Sequence, residues 1–195
     1  MWQTLTAYIT ANPLEVFGVL LGFVYLWLEW RASIWLWVVG VVMPAVYAVV
    51  FYRSGLYADS SMQLYYIAAA VYGIRLWKTG RSGSTRPISR CPRRVYLPLA
   101  AATALLWLLL GGLLMQTDSN VVWADAFTTA LSMTATWVLA QKYAEHWLAW
   151  IVVNAVSTVL YVYKGLDFTA FLYAFYTAAS FFGYFKWLKI MKAQA

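Results

Sequence analysis

The sequence predicts an all-α protein that crosses a membrane seven times, as a parallel repeat of three helices, one connecting helix and three helices. Three observations lead there. The 195 residues are 64% hydrophobic and only 11% charged, far from the profile of a soluble domain. Polar, Gly, Pro and Ser punctuation divides the chain into seven apolar runs, each near the 17–25 helical residues or so that a bilayer core requires. The chain also matches itself when shifted by 110 positions.

Taken in order, spans are expected at about 13–30, 33–52, 60–78, 95–115, 121–141, 146–164 and 167–187, with ends good to a few residues. The first opens on NPLE. Asn12 suits an N-cap, Pro13 the first helical position and Glu15 the third, the capping-box arrangement. No basic n-region or small-residue cleavage site precedes it, so a removable signal peptide is not expected. The domains that follow are a first three-helix repeat at 13–78, a basic loop at 79–94, a linker helix at 95–115 and a second three-helix repeat at 121–187.

Orientation follows from Lys and Arg. With the N-terminus outside, the inner side holds Arg31; Arg75, Lys78, Arg81, Arg86, Arg90, Arg93 and Arg94; Lys142; and Lys186, Lys189 and Lys192. Those are 12 of the 14 basic residues, leaving Arg53 and Lys164 outside. The positive-inside rule then gives N-out, C-in. Most basic of all is the loop RSGSTRPISRCPRR, which reads as a topology anchor beside anionic lipid; the net charge of +7 does not point to nucleic acid. Cys91 lies in that loop and, as the single cysteine, has no internal disulfide partner. It reads as a reduced bystander.

The shift of 110 aligns Phe17 with Phe127, Leu21 with Leu131, Trp27 with Trp137 and Trp37 with Trp147. It continues through Gly55 with Gly165, Leu56 with Leu166, Tyr66 with Tyr176, Gly73 with Gly183 and Trp77 with Trp187, and Glu15 meets Asp125. Carrying the first helix onto the fifth passes four crossings, an even number, so the halves are parallel. Parallel repeats about an axis along the membrane normal are a transporter architecture.

Candidate functional residues follow from polar groups inside spans, which face the bundle interior or a water-filled cavity. Trp147, Trp150, Asn154, Ser157 and Tyr161 recur every three or four residues and share one face of the sixth helix. The fifth helix carries Asp125, Thr128, Thr129, Ser132 and Thr136; the third adds Gln63 and Tyr66; the seventh adds Tyr173, Tyr176 and Ser180. Aromatic walls with a few neutral hydrogen-bonding groups suit a flat heteroaromatic ligand bearing hydroxyls and an amide, and a cationic ring gains cation–π attraction. Other roles stay open for each: an interfacial belt for Trp147, interhelical glue for Asn154, and bonds to their own helix for the Thr and Ser hydroxyls. Asp125 also gains from the helix dipole near the start of its helix.

Several chemistries are excluded. One His and one Cys build no HExxH or CxxC zinc site. No GxxxxGK[ST] phosphate loop is present, no acid sits mid-span for a proton relay, and the last span has no internal lysine for retinal. No cofactor is expected.

These residues resemble a known family. In the first half the resemblance is carried by IWLWVVGVV, FYRSGLYADSSMQLYY and VYGIRLW. In the second it is carried by DAFTTALSMTATWVLAQK, EHWLAWIVVN and LYVYKGL, with WxxWxxxN at Trp147, Trp150 and Asn154. Nearly the whole chain resembles the PnuC-type nicotinamide riboside transporters. The resemblance implies a SWEET-like fold in a bacterial inner membrane and import of nicotinamide riboside by facilitated diffusion. It further implies trapping by a cytosolic ribosylnicotinamide kinase, and substrate contacts at Trp147, Trp150 and Asn154, with Gln63 and Tyr66 as further transfers. Homotrimers are consistent with that family. Related transporters carry thiamine, riboflavin or nucleosides. An enzyme acting on a lipid or quinone within the membrane would need a nucleophile, metal set or acid pair that this sequence lacks. A receptor would need more than KIMKAQA after the last span.

Overall fold

The computed structural model describes residues 13–53, 57–79, 86–117 and 121–194. Among them are seven helices and no strand: α1 Pro13–Trp30, α2 Trp35–Arg53, α3 Tyr57–Trp77, α4 Arg93–Leu114, α5 Val122–Ala140, α6 His146–Tyr163 and α7 Asp167–Ala193. Asn12, Gly55 and Leu56 lie outside the described residues. Among the described residues, α4 and α6 are the helices long and apolar enough to cross a membrane. Shorter apolar stretches run over Leu20–Trp30 in α1 and Trp35–Val49 in α2. Six helices start and stop within a few residues of expectation, but α7 runs on past 187, so KIMKAQA is not a tail beyond it. Lys186, Lys189 and Lys192 recur every third residue, which ends the apolar run without ending the helical period. Lys192 lies in the last turn, where a cation complements the helix dipole.

The chain forms two compact units, Met1–Arg75 and Leu76–Ala195. Within the first, α1 packs on α2. A methyl group on Gly40 of α2 would reach Ala70 of α3 at 3.5 Å and Tyr25 of α1 at 3.7 Å, so the three helices meet at that glycine. Pro44 follows four residues later and, lacking an N–H, cannot bond the Gly40 carbonyl. The indole of Trp37, 1% exposed, lies where a side chain on Gly73 would be.

Within the second unit, α4 packs on α5, α5 on α6 and α6 on α7. Thr103 and Thr134 join α4 to α5 through their hydroxyls at 3.0 Å. Trp107 Nε1 donates to the Trp123 carbonyl at 2.8 Å, and the Trp123 ring fills the space beside Gly111. Between α6 and α7 the same device recurs: a methyl on Gly183 would lie 2.7 Å from the Trp147 indole. Gly165, at φ +69°, closes α6, with Leu166 N–H bonded to the Tyr161 carbonyl and Gly165 N–H to the Val162 carbonyl, a Schellman cap.

The α1–α2 and α5–α6 turns are built alike, residue for residue at a spacing of 110. Ala32 and Lys142 both take left-handed φ, 48° and 60°. Ala32 N–H bonds the Glu29 carbonyl and Ser33 N–H the Leu28 carbonyl; Lys142 N–H bonds Leu139 and Tyr143 N–H bonds Val138 in the same way. Both are Schellman caps without the usual glycine, at a backbone cost of about 1–2 kcal/mol each.

Gly183→Ala is expected to lower stability by about 1–3 kcal/mol, the range for overpacking a tight contact. Gly112→Ala, where no described atom beyond its own turn of helix backbone lies within 4 Å of the added carbon, should leave it unchanged or slightly raised. Thermal melting of the detergent-solubilised variants checks both.

Candidate functional site

α6 starts its polar-aromatic face with Trp147. The indole is 1% exposed, against Gly183 and between the rings of His146, at 4.8 Å, and Trp187, at 6.2 Å. Burial rules out the belt role that the sequence left open, since a belt indole must reach the headgroups. The Trp147 N–H is buried with no hydrogen-bond partner among the described residues, and so is that of Trp150 one turn further on.

Asn154 follows, buried. Its Nδ2 donates to Ser180 Oγ at 3.3 Å, and Ser180 donates in turn to the Tyr176 carbonyl at 2.8 Å. The Asn154 carboxamide oxygen takes no bond from the described residues, whereas its backbone carbonyl accepts from Thr158. Ser157 is buried beyond it, and Tyr161 meets Tyr173 at 4.9 Å, with Tyr173 5.9 Å from half-buried Tyr176. Buried donors and acceptors without partners are rare in a settled core. Two buried indole N–H donors stand without partners on the helix face where Asn154 bonds Ser180, capacity that a ligand or water can complete.

The first half lacks this face. Gly40, Ala70 and Pro44 stand where the second half has Trp150, Ser180 and Asn154, and Tyr25 stands where it has Ala135. Bulk moves from one helix to another between the halves, and the second indole, the amide and its serine partner occur only in the second. That contrast, Ala70 against Ser180, is the signal by which Ser180 could have been ranked with Asn154 from sequence. Tyr66 keeps its counterpart in Tyr176.

The other candidates lie on other helices. Thr128 is buried but donates to the Asp125 carbonyl at 3.0 Å, and Ser132 and Thr136 likewise bond their own helix. Asp125, half-buried, lies in the first turn of α5. Gln63 and Tyr66 are half-buried on α3 in the first unit, with Tyr66 edge-on to Tyr65 at 5.4 Å.

The loop expected at 79–94 is more than a topology anchor. Its last residues, 86–92, dock as an extended strap on the α5–α6 turn. Ser89 pairs with Tyr143 as a parallel bridge, its N–H bonded to the Lys142 carbonyl and its own carbonyl taken by Ala144 N–H. Cys91 is buried there rather than free in a loop. Beneath the strap, Lys142 is 2% exposed, its ammonium 4.4 Å above the Trp77 ring, and the Trp77 indole N–H bonds the Ala140 carbonyl at 3.1 Å. Burial, then the charge of Arg86, pulls the Lys142 ammonium down to about 8. A folded value below the unfolded one means that the unfolded chain binds more protons between the two. Stability should therefore climb as pH rises from about 8. Lys142→Met should flatten that climb between pH 8 and 9.5, read by melting temperature across the range.

The seven-helix chain falls in a class of multi-pass membrane transporters, not enzymes, by its family match. The chain belongs to the nicotinamide mononucleotide transporter family, which matches residues 12–189. It is 22% identical to the nicotinamide riboside transporter PnuC of Escherichia coli, over 90% of this chain and 84% of that protein. To the riboflavin/roseoflavin transporter RibM of Streptomyces davaonensis it is 28% identical, over 89% of this chain and 83% of that protein. The crystal structure of the vitamin B3 transporter PnuC shares the fold, with a TM-score of 0.73 at 22% identity, covering 97% of this chain and 88% of that one.

Proposed function

We propose that this protein imports nicotinamide riboside across a bacterial inner membrane by facilitated diffusion, N-terminus outside, with cytosolic phosphorylation trapping the product. The observation that carries the reading is the buried Asn154–Ser180 pair beside the two unpartnered indole N–H groups, in a chain of this family. A carboxamide can both donate to and accept from another carboxamide, and aromatic faces suit a pyridinium ring. Neither α6 nor α7 carries a Lys or Arg before Lys186, so a phosphate there would be uncompensated. That favours the riboside over the mononucleotide. The lack of an acid in the middle of the helices supports uniport, and the paired contacts Trp37–Gly73 and Trp147–Gly183 support a parallel duplication. A second reading, riboflavin, is favoured by the higher identity to RibM, since an isoalloxazine ring system also stacks on aromatic walls and bonds an amide.

Liposomes holding the purified protein should take up labelled nicotinamide riboside down its gradient without ATP or an imposed ion gradient; uptake that appears only with a proton or sodium gradient defeats the uniport claim. Asn154→Leu should weaken binding at least about tenfold, as losing hydrogen bonds at a buried amide implies, while the protein stays folded. Unchanged affinity would make Asn154 interhelical glue. Tighter binding of riboflavin in competition would transfer the substrate to the second reading.

A further inference from the structure

We propose that Glu145 is a positioning residue for the substrate face of α6, acting through a clasp with the 86–92 strap and α7. The clasp rests on the transport reading above only for the ligand used to test it. Glu145 stands immediately before His146, the first residue of α6, and its side chain is 11% exposed. One carboxylate oxygen accepts the Cys91 backbone N–H at 2.8 Å. The other accepts Arg90 Nη1 at 3.2 Å. The same nitrogen of Arg90 reaches the Tyr184 hydroxyl of α7 at 2.7 Å, with the guanidinium 5.7 Å from that ring.

Tyr184 is the neighbour of Gly183, and Trp147 stands two residues after Glu145. The clasp therefore ties together the two helices at the point where the Trp147 ring is seated on Gly183. Asn154 and Ser180 form the next polar contact along the same α6–α7 interface. A change in the spacing of the helices at the seat is carried along the interface to that pair and to Trp150 between them.

Geometry outweighs charge here. The Arg90 side chain is 51% exposed, so its Coulomb attraction to Glu145 is largely screened. The bond to the Cys91 N–H is the one that strap and helix share, and a charged acceptor shortens it. An acceptor of the same length should then keep most of the effect without the charge, and a shorter one should lose it with the charge intact.

The test measures equilibrium Kd for nicotinamide riboside and for riboflavin on the purified full chain, with thermal melting alongside. For whichever ligand the wild type binds, Glu145→Gln should stay within about threefold of wild type, and Glu145→Asp and Glu145→Ala should weaken binding about tenfold. A purely structural role would lower yield and melting temperature but leave the Kd of the folded fraction at the wild-type value, and that result overturns the proposal. If Glu145→Ala is not recovered folded, Glu145→Asp and Tyr184→Phe decide: weaker binding in either supports the clasp, and wild-type affinity in both overturns it. If the wild type binds neither ligand, the substrate reading fails and the clasp is judged by amide exchange over residues 147–154. Faster exchange there in Glu145→Asp, with α4 unchanged, supports it, and identical exchange overturns it.

Discussion

Two helices in a bilayer gain little by hiding apolar surface from each other, because lipid is as apolar as leucine; they associate through close fit and a few polar contacts. In this protein the fit is a tryptophan ring laid on a glycine: Trp37 on Gly73, Trp147 on Gly183, Trp123 on Gly111. Each glycine sits inside a helix, where it costs about 1 kcal/mol relative to alanine, and that cost is offset only because the indole takes the space a Cβ would fill. The rest of the second unit depends on the Trp147–Gly183 seat. It fixes how near α6 comes to α7, and that nearness lets an asparagine on one reach a serine on the other.

Around this seat the two ends of the interface do different work. On one side the strap closes over the α5–α6 turn, burying Lys142, Ile88 and Cys91 and bringing Arg90, Glu145 and Tyr184 into one hydrogen-bonded set. On the other, Trp150 and Asn154 leave hydrogen-bonding capacity unused among the described residues. A membrane protein satisfies its polar groups wherever it can, since unpaired ones are expensive away from water. Trp147 is seated against Gly183 although its own N–H is unpartnered, and the capacity left at Trp150 and Asn154 is what the proposed substrate face offers.

Much of this was legible beforehand. Apolar runs placed six of the seven helices within a few residues, because span length is set by bilayer thickness and not by tertiary contacts. The shift of 110 pairs Trp37 with Trp147 and Gly73 with Gly183, the residues that form the two matching ring-on-glycine contacts. The extension of α7 was missed because its end is basic, and hydropathy reads charge as the end of a span even where helical period continues. The strap was missed because RPISRCP has no periodicity of its own: its bridge to Tyr143 and its bond to Glu145 come from residues some fifty positions away.

The sequence by itself determined the membrane class, the helices and their order, the internal repeat and the polar-aromatic stripe of α6, all properties of local composition and spacing. Tertiary structure decided which neighbours each residue of the stripe meets. Trp147 and Trp150 are both tryptophans one turn apart, and periodicity cannot separate them. Only the packing of α7 shows that one ring rests on a glycine between His146 and Trp187, while Asn154 finds Ser180 and keeps its carbonyl oxygen free. Burial and hydrogen-bond partners depend on the neighbouring helix, and no single helix sequence contains that information.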